Sequence, residues 1–210
     1  MMYKQFSAAF LLACLSLLFT TLVRADTASQ AGEEGAEGRE AAMQAVMKSK
    51  LEDILVAVNQ VGDNADDKLR GAIDFPTITR GVLGKHRNSA SAAQQQRFEG
   101  EFQKSMTNLL RAAIESAGDY SVEVTRSKLS PKNPERGQAY AQVNLSDGQV
   151  IELVSSVAVV DGEWKVRNLI FSGVNLGKTY RSQFDELVQQ NNGDLDLAID
   201  AWAARAAPEE

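Results

Sequence analysis

The chain holds one cysteine, one histidine, four prolines and only 7 % aromatic residues in a length of 210. With Cys14 as the sole thiol, no disulfide can form within it and no cysteine-based metal centre can be built. His86, the single histidine, excludes a His-pair metal site. It leaves one candidate base for a Ser-His-Asp arrangement, and nothing near it resembles a nucleophile elbow. Cations are in deficit: 22 Lys and Arg stand against 28 Asp and Glu, a net charge of −6. That balance argues against nucleic acid as a partner, because phosphates demand clustered Lys and Arg, and against lasting attachment to an anionic membrane. Internal repeats are also lacking.

What is present begins with a secretory signal. Lys4 supplies a positive n-region, Phe6 to Val23 is an apolar run, and Val23-Arg24-Ala25 offers a cleavage site before Asp26. The run is near the lower limit for a membrane span, but the cleavage-like site and the acidic, Gly-rich stretch after it argue against an anchor. A lipoprotein reading of Leu11-Leu12-Ala13-Cys14 is weaker, since the apolar run continues past the cysteine. Residues 1–25 therefore read as a signal peptide. Its removal takes away Lys4, Arg24 and the only thiol, so the net charge moves from −6 to −8. The mature chain is expected in the periplasm, without stable membrane insertion, and must be held together by an ordinary hydrophobic core.

Residues 26–38 (DTASQAGEEGAEG) are small, polar and acidic and read as a flexible leader. One domain is expected over 39–206. Arg39 to Val61 carries a helical stripe (Met43, Val46, Met47, Leu51, Ile54, Leu55, Val58). Asp66 to Leu83 suggests one or two short helices, with Pro76 at a first turn. Ser91 and Gln94 form a capping box for a long helix striped by Phe98, Phe102, Met106, Leu109, Leu110 and Ile114, and Gly118 is a stop.

From Asp119 the period changes to two. Tyr120, Val122 and Val124 alternate with polar residues. Residues 131–137 read as a loop, and strands follow at Gln138–Leu145, Gln149–Val160 and Glu163–Phe171, joined by Asp147-Gly148 and Asp161-Gly162 turns. Helices return over Asn175–Asn191 and Asp194–Ala204. The fold class is α+β: a curved four-stranded antiparallel meander with flanking N- and C-terminal helices. The third strand is apolar on both faces, while Ala139, Ala141, Ser155, Ser156 and Ala158 are small. Such residues under helices could leave an apolar cavity, but on their own they favour a filled core.

Ser172 to Thr179 (SGVNLGKT) comes close to a phosphate-binding P-loop between a strand and a helix. It has Ser172 where that motif needs glycine, and its strand belongs to a meander. Asp74 is either a cavity carboxylate or, more simply, a helix cap. Arg80 and Arg181 could meet a phosphate headgroup or serve as surface ion-pair partners.

Several segments together resemble the MlaC family of periplasmic phospholipid-binding proteins, also called toluene-tolerance proteins. They are Asp74-Phe75 with Thr79-Arg80-Gly81-Val82-Leu83-Gly84; Gln94 leading to Phe98 and Phe102; Gly173-Val174-Asn175-Leu176; Tyr180-Arg181-Ser182-Gln183-Phe184; and Gly193-Asp194-Leu195-Asp196 to Trp202. Where the family usually carries an aromatic after Leu-Gly, this chain has Lys85-His86-Arg87. The resemblance implies a carrier and not an enzyme, with no cofactor and no metal. Its ligand would be phospholipid, its acyl chains held in a cavity between sheet and helices. Its partners would be an outer-membrane lipoprotein–porin complex and an inner-membrane ABC transporter, in support of outer-membrane lipid asymmetry. Candidate lining residues are then Phe75, Ile78, Val82, Phe98, Phe102, Met106, Leu109 and Leu110 from helices. Val143, Leu153, Val157, Trp164, Val166, Ile170, Tyr180 and Phe184 come from the sheet and the helix after it, with Arg80 and Arg181 at the headgroup. The alternative is a small-molecule enzyme on a cone-shaped α+β fold, using Asp74 or His86.

Overall fold

The computed structural model describes residues 30–59 and 63–206. The signal-peptide reading of residues 1–25 lies outside them, as do residues 26–29 of the leader. The order is α1 (Gln30–Asn59), α2 (Asp63–Ala72), α3 (Phe75–Leu83), a 3-10 turn (Gly84–Asn88), α4 (Ala92–Ala117), β1 (Tyr120–Ser130), β2 (Asn133–Leu145), β3 (Val150–Val160), β4 (Glu163–Phe171), β5 (Val174–Asn175), α5 (Leu176–Gln190) and α6 (Leu195–Ala206). The class is α+β, as the residue pattern predicts. The sheet is an antiparallel meander in the order β1-β2-β3-β4-β5, five strands where four were expected, because a two-residue strand folds back on the end of β4.

Two further differences have physical causes. Residues 30–38, read as leader, are the first turns of α1. Extending a nucleated helix adds one hydrogen bond per residue, so even a Gly-bearing stretch can continue it, and Arg39 Nε bonds the Gly35 carbonyl. The expected loop at 131–137 shrinks to Pro131-Lys132. Pro134 is tolerated because β1 pairing lapses between Asn133 and Gly137, where no ladder N–H is required of it. The anticipated caps are in place. Ser91 and Gln94 form a reciprocal capping box on α4, and Asp161 and Gly162 both take positive φ in the β3–β4 turn.

Pairing parity assigns the faces of the sheet. Tyr120, Val122, Val124, Gly137, Ala139, Ala141, Val143, Ile151, Leu153, Ser155 and Val157 share the inner face. Arg126, Lys128, Gln138, Tyr140, Gln142, Val154 and Ser156 share the outer one. α1 crosses the inner face at one end, where Met43 and Met47 bury themselves with Ala139 and Val157, edged by Leu129, Trp164 and Val166. Irregularities in the β1–β2 pairing supply its polar anchors. Near the break after Val124, that residue's carbonyl accepts from Gln44 Nε2 at 2.8 Å, and near the break after Leu129, that residue's N–H donates to Glu40 Oε1 at 2.7 Å. Lys50 ties α1 to α2 and β4 by donating to the Gly71 carbonyl at 3.0 Å and Glu163 Oε2 at 2.9 Å.

The α1 crossing is close because Gly137 has no side chain. A Cβ there would stand 2.7 Å from the Lys128 carbonyl oxygen and 2.9 Å from Met43 Cε. Gly137→Ala is expected to destabilise the protein by ~1–3 kcal/mol through overpacking, read as a lowered urea midpoint. An unchanged midpoint would show that α1 can lift without loss.

Candidate functional site

The remaining helices build a second core. Phe75 and Val82 of α3, Phe98 and Phe102 of α4, Phe184, Leu187 and Val188 of α5, and Leu195, Ala198, Ile199 and Trp202 of α6 are all buried together. Aromatic contacts organise it: Phe98 and Phe184 centroids lie 4.5 Å apart, and Trp202 stacks on Phe102 at 5.8 Å. Trp202 Nε1 donates to Ser105 Oγ at 3.0 Å, so its polar edge is satisfied inside the core. Ile54, Ile73, Ile78, Met106, Leu110, Ile114 and Tyr180 are half-buried at its margin.

Between this core and the α1-covered cluster lies a belt that belongs to neither. Among the described residues, Val122, Ala141, Val143, Leu153, Leu169 and Phe171 are half-buried on the inner sheet face and packed into neither cluster. α4 packs on α6, α3 and α1 and does not lie down on the strands. Val124 and Ile151, paired with Ala141 and Val143 on the same face, are buried, and Met106, Leu110 and Ile114 of α4 pack against the helical core. Leu109, on the same helix, is half exposed.

The sixteen lining residues expected from sequence divide accordingly. Phe75, Val82, Phe98, Phe102 and Phe184 are fully buried and fill the helical core, while Ile78, Met106, Leu110 and Tyr180 stand at its edge. Val157 lies under α1 with Trp164 and Val166 beside it. Val143 and Leu153 are half-buried on the inner sheet face, in neither cluster. Ile170 turns to the outer face: a bulge at Ser156/Val157 pairs Val157 with Val166 but Ser156 with Asn168, so inward parity passes to Leu169 and Phe171. Sequence reasoning missed those two for that reason. Val122 and Ala141 carried a readable signal in their strand alternation.

The polar candidates have definite partners. Asp74, 5 % exposed, caps α3 by accepting from the Thr77 N–H at 3.2 Å and accepts from Arg167 Nε at 2.8 Å. Burial pushes its pKa up, but the Thr77 hydrogen bonds and Arg167 outweigh that and hold it below the ordinary 3.8. His86 Nε2 lies 2.7 Å from Asp185 Oδ1, which also meets Lys85 Nζ at 2.7 Å. Lys85 and then His86 pull Asp185 down to about 2. The His86 ring stands edge-on to Phe184, with ring centroids 6.5 Å apart.

Arg181 donates from Nε to the Gly81 carbonyl at 2.7 Å, and its stem lies across Gly84, whose φ of 55° suits glycine. Arg80 lines a shallow depression between α3 and α4 with Gln95, Gln96 and Glu99, so the two arginines do not converge. The P-loop look-alike is a corner. The Gly177 N–H is taken by Asn168 Oδ1 and the Lys178 N–H by Asn175 Oδ1, which occupies amides that a phosphate would need. Among the described residues no group of His, Cys, Asp and Glu is placed to hold a metal ion, and no helix is long and apolar enough to cross a membrane.

A curved antiparallel sheet backed by helices, with a half-buried apolar belt outside both core clusters, defines an α+β fold of one sheet and one helical layer. The MlaC protein family matches residues 40–204, and the chain belongs to that family. Toluene tolerance protein Ttg2D of Pseudomonas putida is 28 % identical over 181 residues, covering 86 % of this chain and 83 % of that protein. The solved structure of a phospholipid-binding protein from Ralstonia solanacearum, in complex with a phospholipid, has the same fold: TM-score 0.66 over 79 % of this chain and 98 % of its own, at 21 % identity.

The depressed Asp74 and Asp185 pKa values fix a sign. A carboxyl whose folded pKa lies below its unfolded value contributes stability that is present above the unfolded pKa and lost as pH falls through the folded one. Asp74→Asn keeps a competent cap but removes the charge facing Arg167. It should cost about 1–2 kcal/mol at pH 7, with the difference from wild type shrinking as pH drops from 4 toward 2. Urea denaturation at pH 7 and pH 3 measures it. A pH-independent difference would deny the ion pair its role.

Proposed function

We propose that this chain is a periplasmic carrier that encloses phospholipid acyl chains in an apolar trough between the sheet and α4. It would move phospholipid between an outer-membrane lipoprotein–porin complex and an inner-membrane ABC transporter, and so support outer-membrane lipid asymmetry. The observation that carries this reading is the half-buried belt of Val122, Ala141, Val143, Leu153, Leu169 and Phe171, which neither core cluster covers. Family membership and the lipid-bound relative of the same fold support it.

The energetics favour such a device. A diacyl lipid exposes roughly 30 methylenes at ~0.8 kcal/mol each, a penalty of order 20 kcal/mol for standing free in water. A shuttle between two membranes must therefore wrap the tails and can leave the headgroup wet. An apolar trough does this with no cofactor and few polar contacts. Phe75, Val82, Phe98, Phe102 and Phe184 then act as the rigid wall behind the lining, Met106, Leu110 and Tyr180 as its face, and Arg80 and Arg181 as separate cations at the rim. The enzyme alternative draws little from the geometry, because Asp74 is capping and ion-paired and His86 leans on Asp185.

Ala141 is a small residue in the middle of the trough floor, paired with Val124 and Leu153. Ala141→Trp should fill the trough and reduce co-purified phospholipid, measured by native mass spectrometry, several-fold or more. The half-buried site should hold the melting temperature within a few degrees. Val143→Asp, which puts a charge on the same floor, should act likewise. A wild-type protein that carries no lipid and takes none from liposomes would overturn the carrier reading.

A further inference from the structure

The outer face of the sheet holds a concavity of about 470 Å³ lined by Lys128, Ser130, Arg136, Gln138, Tyr140, Ser156, Ala158 and Arg167, with Leu129, Pro131, Gly137 and Val157 contributing at its edge. Three of these residues are cations and none is acidic, although the protein as a whole is acidic. Arg126 adds a fourth positive charge at the margin, its guanidinium 3.7 Å over the Tyr140 ring. The basic residues of β1, β2 and β4 gather at one end of this face, while Glu123 and Glu152 flank Gln142 farther along it.

The cations are arranged to receive an anion. Arg167 is oriented by Asp74, which takes Nε at 2.8 Å, so both terminal amino groups of the guanidinium are left over. Lys128 and Arg136 are exposed and make no ion pair among the described residues. Neutral donors sit between them. Tyr140 donates its hydroxyl hydrogen to Gln138 Oε1 at 2.8 Å, which leaves the Gln138 amide N–H groups for another acceptor, and Ser130 and Ser156 add hydroxyls. Two guanidiniums and an ammonium around hydroxyl and amide donors suit a group with several acceptor oxygens and full negative charge. The concavity is much larger than one such group and admits the organic moiety attached to it.

We propose that this concavity is a second ligand site, for a phosphoester, on the sheet face opposite the apolar trough and independent of what the trough holds. The phosphate could belong to a soluble phosphoester or to the headgroup of a lipid in a membrane surface. The purified chain is titrated with inorganic phosphate and with glycerol 3-phosphate while amide NMR shifts are followed. It is also floated with phosphatidylcholine vesicles with and without phosphatidylglycerol.

Saturable shifts confined to Gln138, Tyr140, Ser156 and their neighbours are expected. The double variant Lys128→Gln/Arg136→Gln should weaken binding by at least about tenfold, given the strength of charge-assisted hydrogen bonds. Its melting temperature and co-purified lipid should not change. Flotation that requires phosphatidylglycerol and is lost in the double variant, but kept in Ala141→Trp, assigns the site to a membrane headgroup. Saturable shifts without such flotation assign it to a soluble phosphoester. Absence of saturable shifts with either phosphate, or equal binding by the double variant, overturns the proposal. That result would include a site that accepts only an acidic protein surface.

Discussion

Met43 and Met47 resting on Ala139 and Val157 set where α1 crosses the sheet, and most of the remaining architecture adjusts to that crossing. The crossing is anchored near breaks in β1, where the Val124 carbonyl and the Leu129 N–H meet Gln44 and Glu40. A regular β1 would commit such groups to the ladder and α1 would lose its footing. With α1 held at one end of the inner face, α3, α4, α5 and α6 pack mainly on one another, around Phe98, Phe102, Phe184 and Trp202. Between the two clusters the inner face is only partly covered: Val122, Ala141, Val143 and Leu153 are half-buried beside buried Val124 and Ile151. The half-buried belt follows from two separate cores and needs no special residue of its own.

Polar contacts hold the two parts in register. Asp74 links the start of α3 to β4 through Arg167, and its backbone N–H bonds the Val166 carbonyl at 2.9 Å. Lys50 does the same for α1, α2 and the start of β4. The Lys50–Glu163 pair stays partly hydrated, whereas Asp74 is buried and its desolvation is offset by the Thr77 hydrogen bonds and Arg167. One buried polar atom is left over among the described residues. Gln103 Oε1 has no partner and lies on α4 one turn before Met106, on the stripe that continues to Leu110 and Ile114. An unpaired amide oxygen costs about 1–3 kcal/mol, which the surrounding aromatic core has to offset.

Helix and turn chemistry was legible before any coordinates. The Ser91–Gln94 box, the Gly118 stop, the Asp161-Gly162 turn and the Asp74 cap all occur where short-range rules place them, because each is decided within a few residues. The candidate site was legible only in part, since a trough floor depends on parity and parity depends on bulges. Counting inward from Trp164 and Val166 leads to Ile170, yet one extra residue near Arg167 makes Leu169 and Phe171 the inward pair. Val157 presents the same problem in another form. Its alternation says inward but cannot say whether α1 or a ligand covers it. Burial of this kind is a long-range property, and local pattern carries no record of it.

The two faces of the sheet impose different demands, and the meander meets both with the same strands. β2 places Ala139, Ala141 and Val143 inward and Gln138, Tyr140 and Gln142 outward, so a one-residue slip would turn the trough floor polar and the cationic face apolar. The extra residues Thr125 in β1 and Arg167 in β4 adjust the phase locally without letting the register drift, because each is followed by regular pairing. A filled core would be more stable than this arrangement: every half-buried valine or leucine forgoes some of the ~25 cal/mol per Å² that full burial supplies. The chain tolerates that loss because the aromatic helical core and the α1 clamp are each closed and self-sufficient. The uncovered belt can thus remain open without loosening the elements that frame it.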